Sequence, residues 1–141
     1  MREECAFILT EGGRFVVISL ALLIFVHVLT MDRRVELVIE QIEADVSRAW
    51  DTARLAADVN LSASRFRHLF KEETGVAVTE YLRERRLERA ELLLRTTFMT
   101  IKEVLSESGF TSMSHFVQYF KRRYGLTPTA YRKHSAIFVK H

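Results

Sequence analysis

The chain is poor in the residues that most enzymes and disulfide-stapled proteins are built from. Its single cysteine, Cys5, excludes an internal disulfide and any cysteine-rich metal site, and fits a reducing compartment. One proline and five glycines leave no Pro-rich linker and no Gly-rich phosphate loop. His27, His68, His115, His134 and His141 are scattered and share no ligand spacing with Cys5 or with a carboxylate cluster. No metal, cofactor or catalytic constellation is therefore expected, and the serines are explained by helix capping. Neither sign of charge dominates, with 21 Lys and Arg against 18 Asp and Glu. Residues 1–30 hold two arginines and three glutamates, net −1, which leaves +4 on the rest of a chain whose total is +3. That balance permits a polyanionic partner without demanding one.

Only one long apolar run occurs. Phe15 to Leu29 is broken by Ser19 and His27 alone, and extending it to Met31 gives seventeen residues. As a helix this spans roughly 25 Å, less than a hydrocarbon core of ~30 Å. A secretory signal is disfavoured by the acidic segment before it and by the lack of a small-residue cleavage site. Three readings of residues 1–30 stay open. They form an extension without a dedicated role, a membrane anchor through residues 15–31 followed by Arg33 and Arg34, or a helix or strand left from a partner domain.

What is present in quantity is helix, twice over. Phe66, Phe70, Lys71, Gly75, Thr79 and Tyr81 recur fifty residues later as Phe116, Phe120, Lys121, Gly125, Thr129 and Tyr131, and Ser62 recurs as Ser112. Upstream the offset is forty-nine, matching Leu55 with Val104, Asn60 with Gly109 and Leu61 with Phe110, so the second copy has one extra residue in its turn. A tandem of this kind predicts two similar helical modules. Val35, Val38, Ile39, Ile42 and Val46 share one helical face behind an Asp32 cap. Asp51 or Thr52 opens a short helix with Leu55 and Ala56, and Asn60 sits where a tight turn needs left-handed geometry. Ser62 then caps a helix that ends before Gly75. A longer helix over 79–95 has no internal glycine or proline and should act as a stiff spacer. Its charged residues read mostly as a solvated face with local ion pairs, although Arg86 interrupts the apolar side. Thr100 and Glu103 make a capping-box pattern, Gly109 a turn, Ser112 a cap, Gly125 a stop, and Thr127-Pro128 the start of a last short helix.

The expected fold is all-α: about seven helices in two helix-turn-helix subdomains joined by a long linker helix, preceded by a short apolar segment. The expected divisions are 1–30, a helical domain over 31–134 and a tail over 135–141. Within the domain the first module spans 35–78, the linker helix 79–95 and the second module 96–134. Helices crossing in this way leave the outer face of the second one free to enter a major groove.

The stretches LAADVNLSASRFRHLFKEETG (55–75), YLRERRLERAELLL (81–94) and IKEVLSESGFTSMSHFVQYFKRRYGLTPTAYR (101–132) resemble the DNA-binding domain of the AraC/XylS family of bacterial transcription factors. The GF, YFK, GLTP and closing YR at this spacing are specific to that family. The resemblance covers about Val35 to His134. It implies a sequence-specific transcription regulator, with double-stranded DNA as partner and RNA polymerase as a further one. No small-molecule domain is evident. The cytoplasm is the expected location, or the membrane with the DNA-binding domain on its cytoplasmic side. Carried over by motif position, Ser64, Arg67 and His68 in the first module, and Met113, Ser114, His115 and Gln118 in the second, face the bases. Ser62, Arg65, Lys71, Ser112, Lys121, Arg122 and Arg123 face phosphates. Arg67 is the residue expected to grip guanine. The plainer reading of Arg67, His68, Met113 and His115 as ordinary surface stays open beside this one. Two departures stand out: Gln118 replaces an arginine common in the family, and Leu105 replaces an alanine whose small size lets the two helices approach. Extra methylenes in a tight crossing cost about 1–3 kcal/mol, so the second module is expected to be the weaker. A second reading of function stays open on Leu105, the unusual N-terminus and the missing partner domain: a truncated or degenerate regulator acting as a protein-interaction module without specific DNA binding.

Overall fold

Short side-chain oxygens start most of the helices. The computed structural model describes residues 7–11, 14–18 and 31–138, with side chains from 31 to 135. Helix α1 (Arg33–Ala44) begins at Asp32, whose carboxylate accepts from the Arg34 amide, and α2 (Thr52–Asp58) begins at Asp51 in the same way. Ser62 caps α3 (Ala63–Thr74), and Ser112 caps α6 (Met113–Tyr124). Between these lie α4 (Val78–Thr96) and α5 (Ile101–Glu107), the latter opened by the full Thr100–Glu103 capping box. The last helix, α7 (Pro128–Phe138), starts behind Thr127 and continues past His134 into the expected tail. Helix α4 opens at Val78, next to the expected start at 79, behind an N-cap, Ala77, that offers no side-chain oxygen.

Among the described residues seven helices build two cores of matching design. In the first, Phe66 and Phe70 lie 5.7 Å apart at 60° and Phe70 meets Tyr81 at 5.6 Å and 74°. In the second, Phe116 and Phe120 lie 5.8 Å apart at 62° and Phe120 meets Tyr131 at 5.4 Å and 80°. Edge-to-face packing of this kind adds about 0.5–1.5 kcal/mol per pair beyond area burial. Each tyrosine hydroxyl donates over 2.7 Å to a glutamate of an earlier helix, Tyr81 to Glu43 and Tyr131 to Glu91.

Helix α4 belongs to both cores. Val78 and Leu82 complete the first, whereas Leu87, Ala90 and Leu94 enter the second. The latter three repeat the spacing of Val35, Val38 and Ile42, so the far half of α4 does for the second module what α1 does for the first. The change of client falls on Arg83, Glu84, Arg85 and Arg86, all half-buried. Two of them reach forward to α6: the Arg83 guanidinium lies 4.9 Å over the Tyr119 ring, and Glu84 accepts from Arg123 at 3.1 Å. The other two reach back, Arg85 to Glu43 at 3.1 Å and Arg86 to the carbonyls of Val46 and Arg48 at 3.2 and 2.8 Å. This corrects the reading of the spacer's charges as chiefly a solvated face. Local pairs such as Arg85–Glu88 exist, but these four consecutive residues form the seam between the modules.

The turns agree with the repeat. Leu61 N–H donates to the Ala56 carbonyl at 2.9 Å, and Phe110 N–H donates to the Leu105 carbonyl at 3.0 Å. Asn60 takes φ +57° and Gly109 φ +84°. Leu105 closes its turn with its backbone as Ala56 does, and its half-buried side chain packs against the second core.

Ahead of the helices, β1 (Phe7–Glu11) and β2 (Arg14–Ile18) pair antiparallel, from Phe7 opposite Ile18 to Glu11 opposite Arg14. The start of the apolar run is therefore a strand. Residues 19–30, on which the anchor reading rests, lie outside the described residues. Among the described residues no helix is long and apolar enough to cross a membrane.

Two measurements check this packing. Phe120→Ala, at a fully buried ring, should lower the unfolding free energy by about 3–5 kcal/mol, and Leu105→Ala should lower it by about 1 kcal/mol where an overpacked leucine would raise it; denaturant titration separates the outcomes. Burial, with the Glu43 hydrogen bond second, pushes the Tyr81 phenol up to about 12. Its folded pKa lies above the ordinary value near 10, so its contribution is complete below pH ~10 and disappears as pH rises through ~12. Tyr81→Phe should reduce that alkaline loss of stability and remove one high-pH step from the phenolate absorbance titration.

Candidate nucleic-acid interface

Helices α3 and α6 turn the same side inward. Phe66, Leu69 and Phe70 in one, and Phe116 and Phe120 in the other, anchor each helix to its core and leave the opposite side outside. Ser62 Oγ accepts from the Arg65 amide at 3.2 Å and Ser112 Oγ from the His115 amide at 3.4 Å. At the far ends Gly75 and Gly125 donate back to the carbonyls of Lys71 and Lys121 at 2.9 and 2.8 Å. The two outer faces are thus presented by the same caps, stops and aromatic anchors.

On α3, Ser64, Arg65, Arg67, His68 and Lys71 are exposed, as is Ser62 before it. Ser64, Arg67, His68 and Lys71 fall three or four residues apart along one stripe. Arg67 folds back along its helix, its Nε donating to the Ala63 carbonyl at 3.1 Å. With His68 and Lys71 it borders a hollow of about 210 Å³, across from Thr52 and from Ala77 to Thr79. The N-termini of α2 and α4 meet there beside the three basic side chains.

On α6, Met113, Ser114, His115, Gln118, Lys121, Arg122 and Arg123 are exposed, and Ser112 is half-buried. These residues do not form one set. Ser114, Gln118 and Lys121 continue the stripe seen on α3, the position of Arg67 being taken by the half-buried Val117. His115 lies to one side, its ring 6.0 Å from that of Tyr119, on a groove of about 590 Å³ between the modules. Arg123 is tied to Glu84 of α4. Glu73, at the matching place in the first module, accepts from the Asp32 amide at 3.1 Å, so both positions bind the helix to an earlier one.

Charge is sorted more sharply than the composition implied. Acidic residues of α1 and α4 are engaged by arginines, including Arg33–Glu36, Arg83–Glu80, Arg85–Glu88 and Arg95–Glu91. Among the described residues Arg65, Arg67, Lys71, Lys121 and Arg122 of α3 and α6 make no ion pair within 4 Å, which is also true of Arg48, Arg54, Arg89 and Lys102 outside those helices, and Arg65 lies close enough to Asp32 to lower its pKa. Glu72, exposed on α3, is the counter-charge there, and its counterpart in the second module is Arg122. The end of α6 is accordingly the more cationic. Sequence reasoning did not identify the seam residues Arg83 and Glu84 as parts of this surface's support. The signal was four consecutive non-apolar residues between Leu82 and Leu87, within a helix otherwise apolar on that side.

A family profile described as "Helix-turn-helix domain" matches residues 55–134. Among curated proteins, the arabinose operon regulatory protein of Escherichia coli strain K12 is 35% identical over 103 residues, covering 72% of this chain and 35% of that protein. The transcriptional regulator GadX of E. coli O6:H1 is 34% identical over 95 residues, covering 67% and 34%. The chain thus matches about a third of the length of these relatives. Among solved structures, the DNA-binding domain of the global transcriptional factor AdpA, in complex with a target DNA, superposes with a TM-score of 0.68 at 29% identity over 71% of this chain and 90% of that one. An AraC-type regulator from Chromobacterium violaceum gives 0.66 at 28% over 74% and 93%.

The Arg123–Glu84 pair is solvent-exposed, and such pairs contribute about 0–1 kcal/mol. Glu84→Gln should therefore change stability by less than about 0.5 kcal/mol in a denaturant titration, whereas a loss above ~1 kcal/mol would mean that the seam rests on this pair.

Proposed function

The chain belongs to the AraC/XylS family of helix-turn-helix transcription regulators, and on that premise we propose that it binds double-stranded DNA in a sequence-specific way to regulate bacterial transcription initiation. One observation carries the reading. Two helices with the same internal anchoring present polar and cationic outer faces, while the acids of α1 and α4 are paired with arginines. The AdpA domain, which is in complex with DNA, shares this fold over most of its length and supports the same use here.

Affinity comes mainly from the backbone contacts and selectivity from the base edges. Lys71, Lys121, Arg122 and Arg65 supply cations to phosphates, and the capped helix ends after Ser62 and Ser112 add amide donors. Ser64, Arg67 and His68 read one major groove; Met113, Ser114 and Gln118 read the next, and His115 approaches from the groove between the modules. Arg123 serves phosphate only by leaving Glu84. The working unit is the domain over 31–134, its modules at 35–78 and 96–134 held by the helix over 79–95. The reading as a truncated or degenerate module for protein interaction drew on Leu105, the N-terminal segment and the missing partner domain, and the second turn, closed by the same backbone bond as the first, speaks against the Leu105 part of it. Contacts with RNA polymerase or with a membrane rest on no feature of the described residues and do not enter the reading.

Selection of the full chain on a random duplex pool tests it. One enriched site is expected, with affinity falling steeply as salt rises. Arg67→Ala should cost about 1–3 kcal/mol and relax preference at one position, whereas Lys71→Ala should weaken all sequences alike and lower the salt slope by about 1. A pool that emerges without an enriched sequence would end this proposal.

A further inference from the structure

Three segments distant in sequence meet at the seam. From α4, Arg86 Nε and Nη2 donate to the carbonyls of Val46 and Arg48, in the loop between α1 and α2. From the second module, the turn at Gly109 lies against the same loop. A Cβ built on Gly109 would stand 2.8 Å from both Ser47 Cα and Ser47 O, and 2.9 Å from Arg86 Nε. The matching turn residue of the first module, Asn60, is exposed and adopts left-handed φ with a side chain present. Left-handed geometry alone therefore does not demand glycine at this turn; the approach of the other module does.

The Arg86 fork spans two carbonyls two residues apart in one loop, and charge-assisted bonds to fixed backbone acceptors are directional. A continuous helix sets how far apart the modules stand. Rotation and tilt between them depend on what crosses the seam, and Arg83 and Glu84 cross it with exposed or π-type contacts that yield more easily.

We propose that Arg86, seated between the Val46–Arg48 loop and Gly109, is a positioning residue that locks the two modules into one rigid orientation and so sets which separation of DNA half-sites the protein accepts. This rests on the DNA-binding reading for its consequence but not for the lock itself. One inserted base pair turns one half-site against the other by about 34–36°, which a locked pair of readers does not follow.

Two measurements on the full chain test it. In the first, the selected site is rebuilt with one or two base pairs added or removed between its halves. The wild type should lose about tenfold or more at each altered spacing, and Arg86→Ala should flatten this to within about threefold while binding each half-site as before. Arg95→Ala is the control, because Arg95 pairs with Glu91 on its own helix, on the second module's side of the seam, and should leave the spacing profile unchanged. In the second, nitroxide labels replace Asp58 and Lys102, exposed on α2 and α5, with Cys5→Ser removing the native thiol. Their distance distribution should be narrow in the wild type and in Arg95→Ala, and broad in Arg86→Ala. Equal loss of affinity at every spacing, or an unchanged distribution in Arg86→Ala, overturns the proposal. Should Arg86→Ala lose its helicity, Arg86→Lys decides, since a lysine does not serve both carbonyls as a fork; a folded lysine variant with wild-type spacing and distribution overturns it equally. If no DNA site is enriched, the DNA reading fails and the label distances still decide the lock.

Discussion

A single helix completing two hydrophobic cores is the constraint on which the rest of the structure depends. Neither module closes by itself. The first needs Val78 and Leu82 to cover Phe70, and the second needs Leu87, Ala90 and Leu94 where the first has α1. Burial of these side chains, about 1.5–3 kcal/mol each for the larger ones, makes the linker part of both interiors. The consequence is electrostatic as well as geometric. Where the helix passes from one core to the other its side chains are half-buried, and four polar residues in succession each find a partner on one module or the other. The seam is polar because it is the one stretch of α4 that neither core claims.

That arrangement bears directly on how a chain of net charge +3 presents cationic surfaces. Self-pairing along α1 and α4 absorbs carboxylates that would otherwise repel a phosphate backbone, while the outer faces of α3 and α6 keep unpaired cations. Exposed pairs of this kind add little to stability. Their value lies in where they leave the field uncompensated. The net charge is a poor guide here, since what matters is which acids have been taken out of play.

Much of this was legible in the sequence because it is local. Caps at Asp32, Ser62, Thr100 and Ser112 and the left-handed turn at Asn60 each follow from one residue's chemistry and from neighbours three or four positions away. The aromatic repeat was legible because identical spacing serves identical packing. What escaped was non-local. Arg86 looks like any helix arginine until the carbonyls of a loop some forty residues earlier are brought beneath it. Leu105 appeared to be too large because its partner position holds Ala56, yet its direction at the core's edge is set by packing that spacing does not reveal. The hairpin was hidden by an apolar run, although Gly12-Gly13 between its strands is a turn signal in its own right. Of the candidate site, the membership of α3 and α6 was readable, and the side toward which His115 and Arg123 turn was not.

The repeat also offers an internal comparison. Where the two copies keep the same residue, as at Phe66 and Phe116 or Tyr81 and Tyr131, each is answering to its own core. The cores also carry differences, such as Leu55 for Val104, but several others fall where a copy meets something outside itself. Asn60 faces solvent and its counterpart Gly109 faces the other module. Ala77 begins a helix beside a cationic hollow without a side-chain cap, whereas its counterpart Thr127 caps its own helix at the Ala130 amide. Glu73 grips the first module's leading helix through an amide, and Arg123 grips the linker through a carboxylate, because a carboxylate is what Glu84 presents there. The aromatic anchors are shared by the two cores, and the differences at Asn60/Gly109, Ala77/Thr127 and Glu73/Arg123 lie where each module meets the other, its linker or solvent.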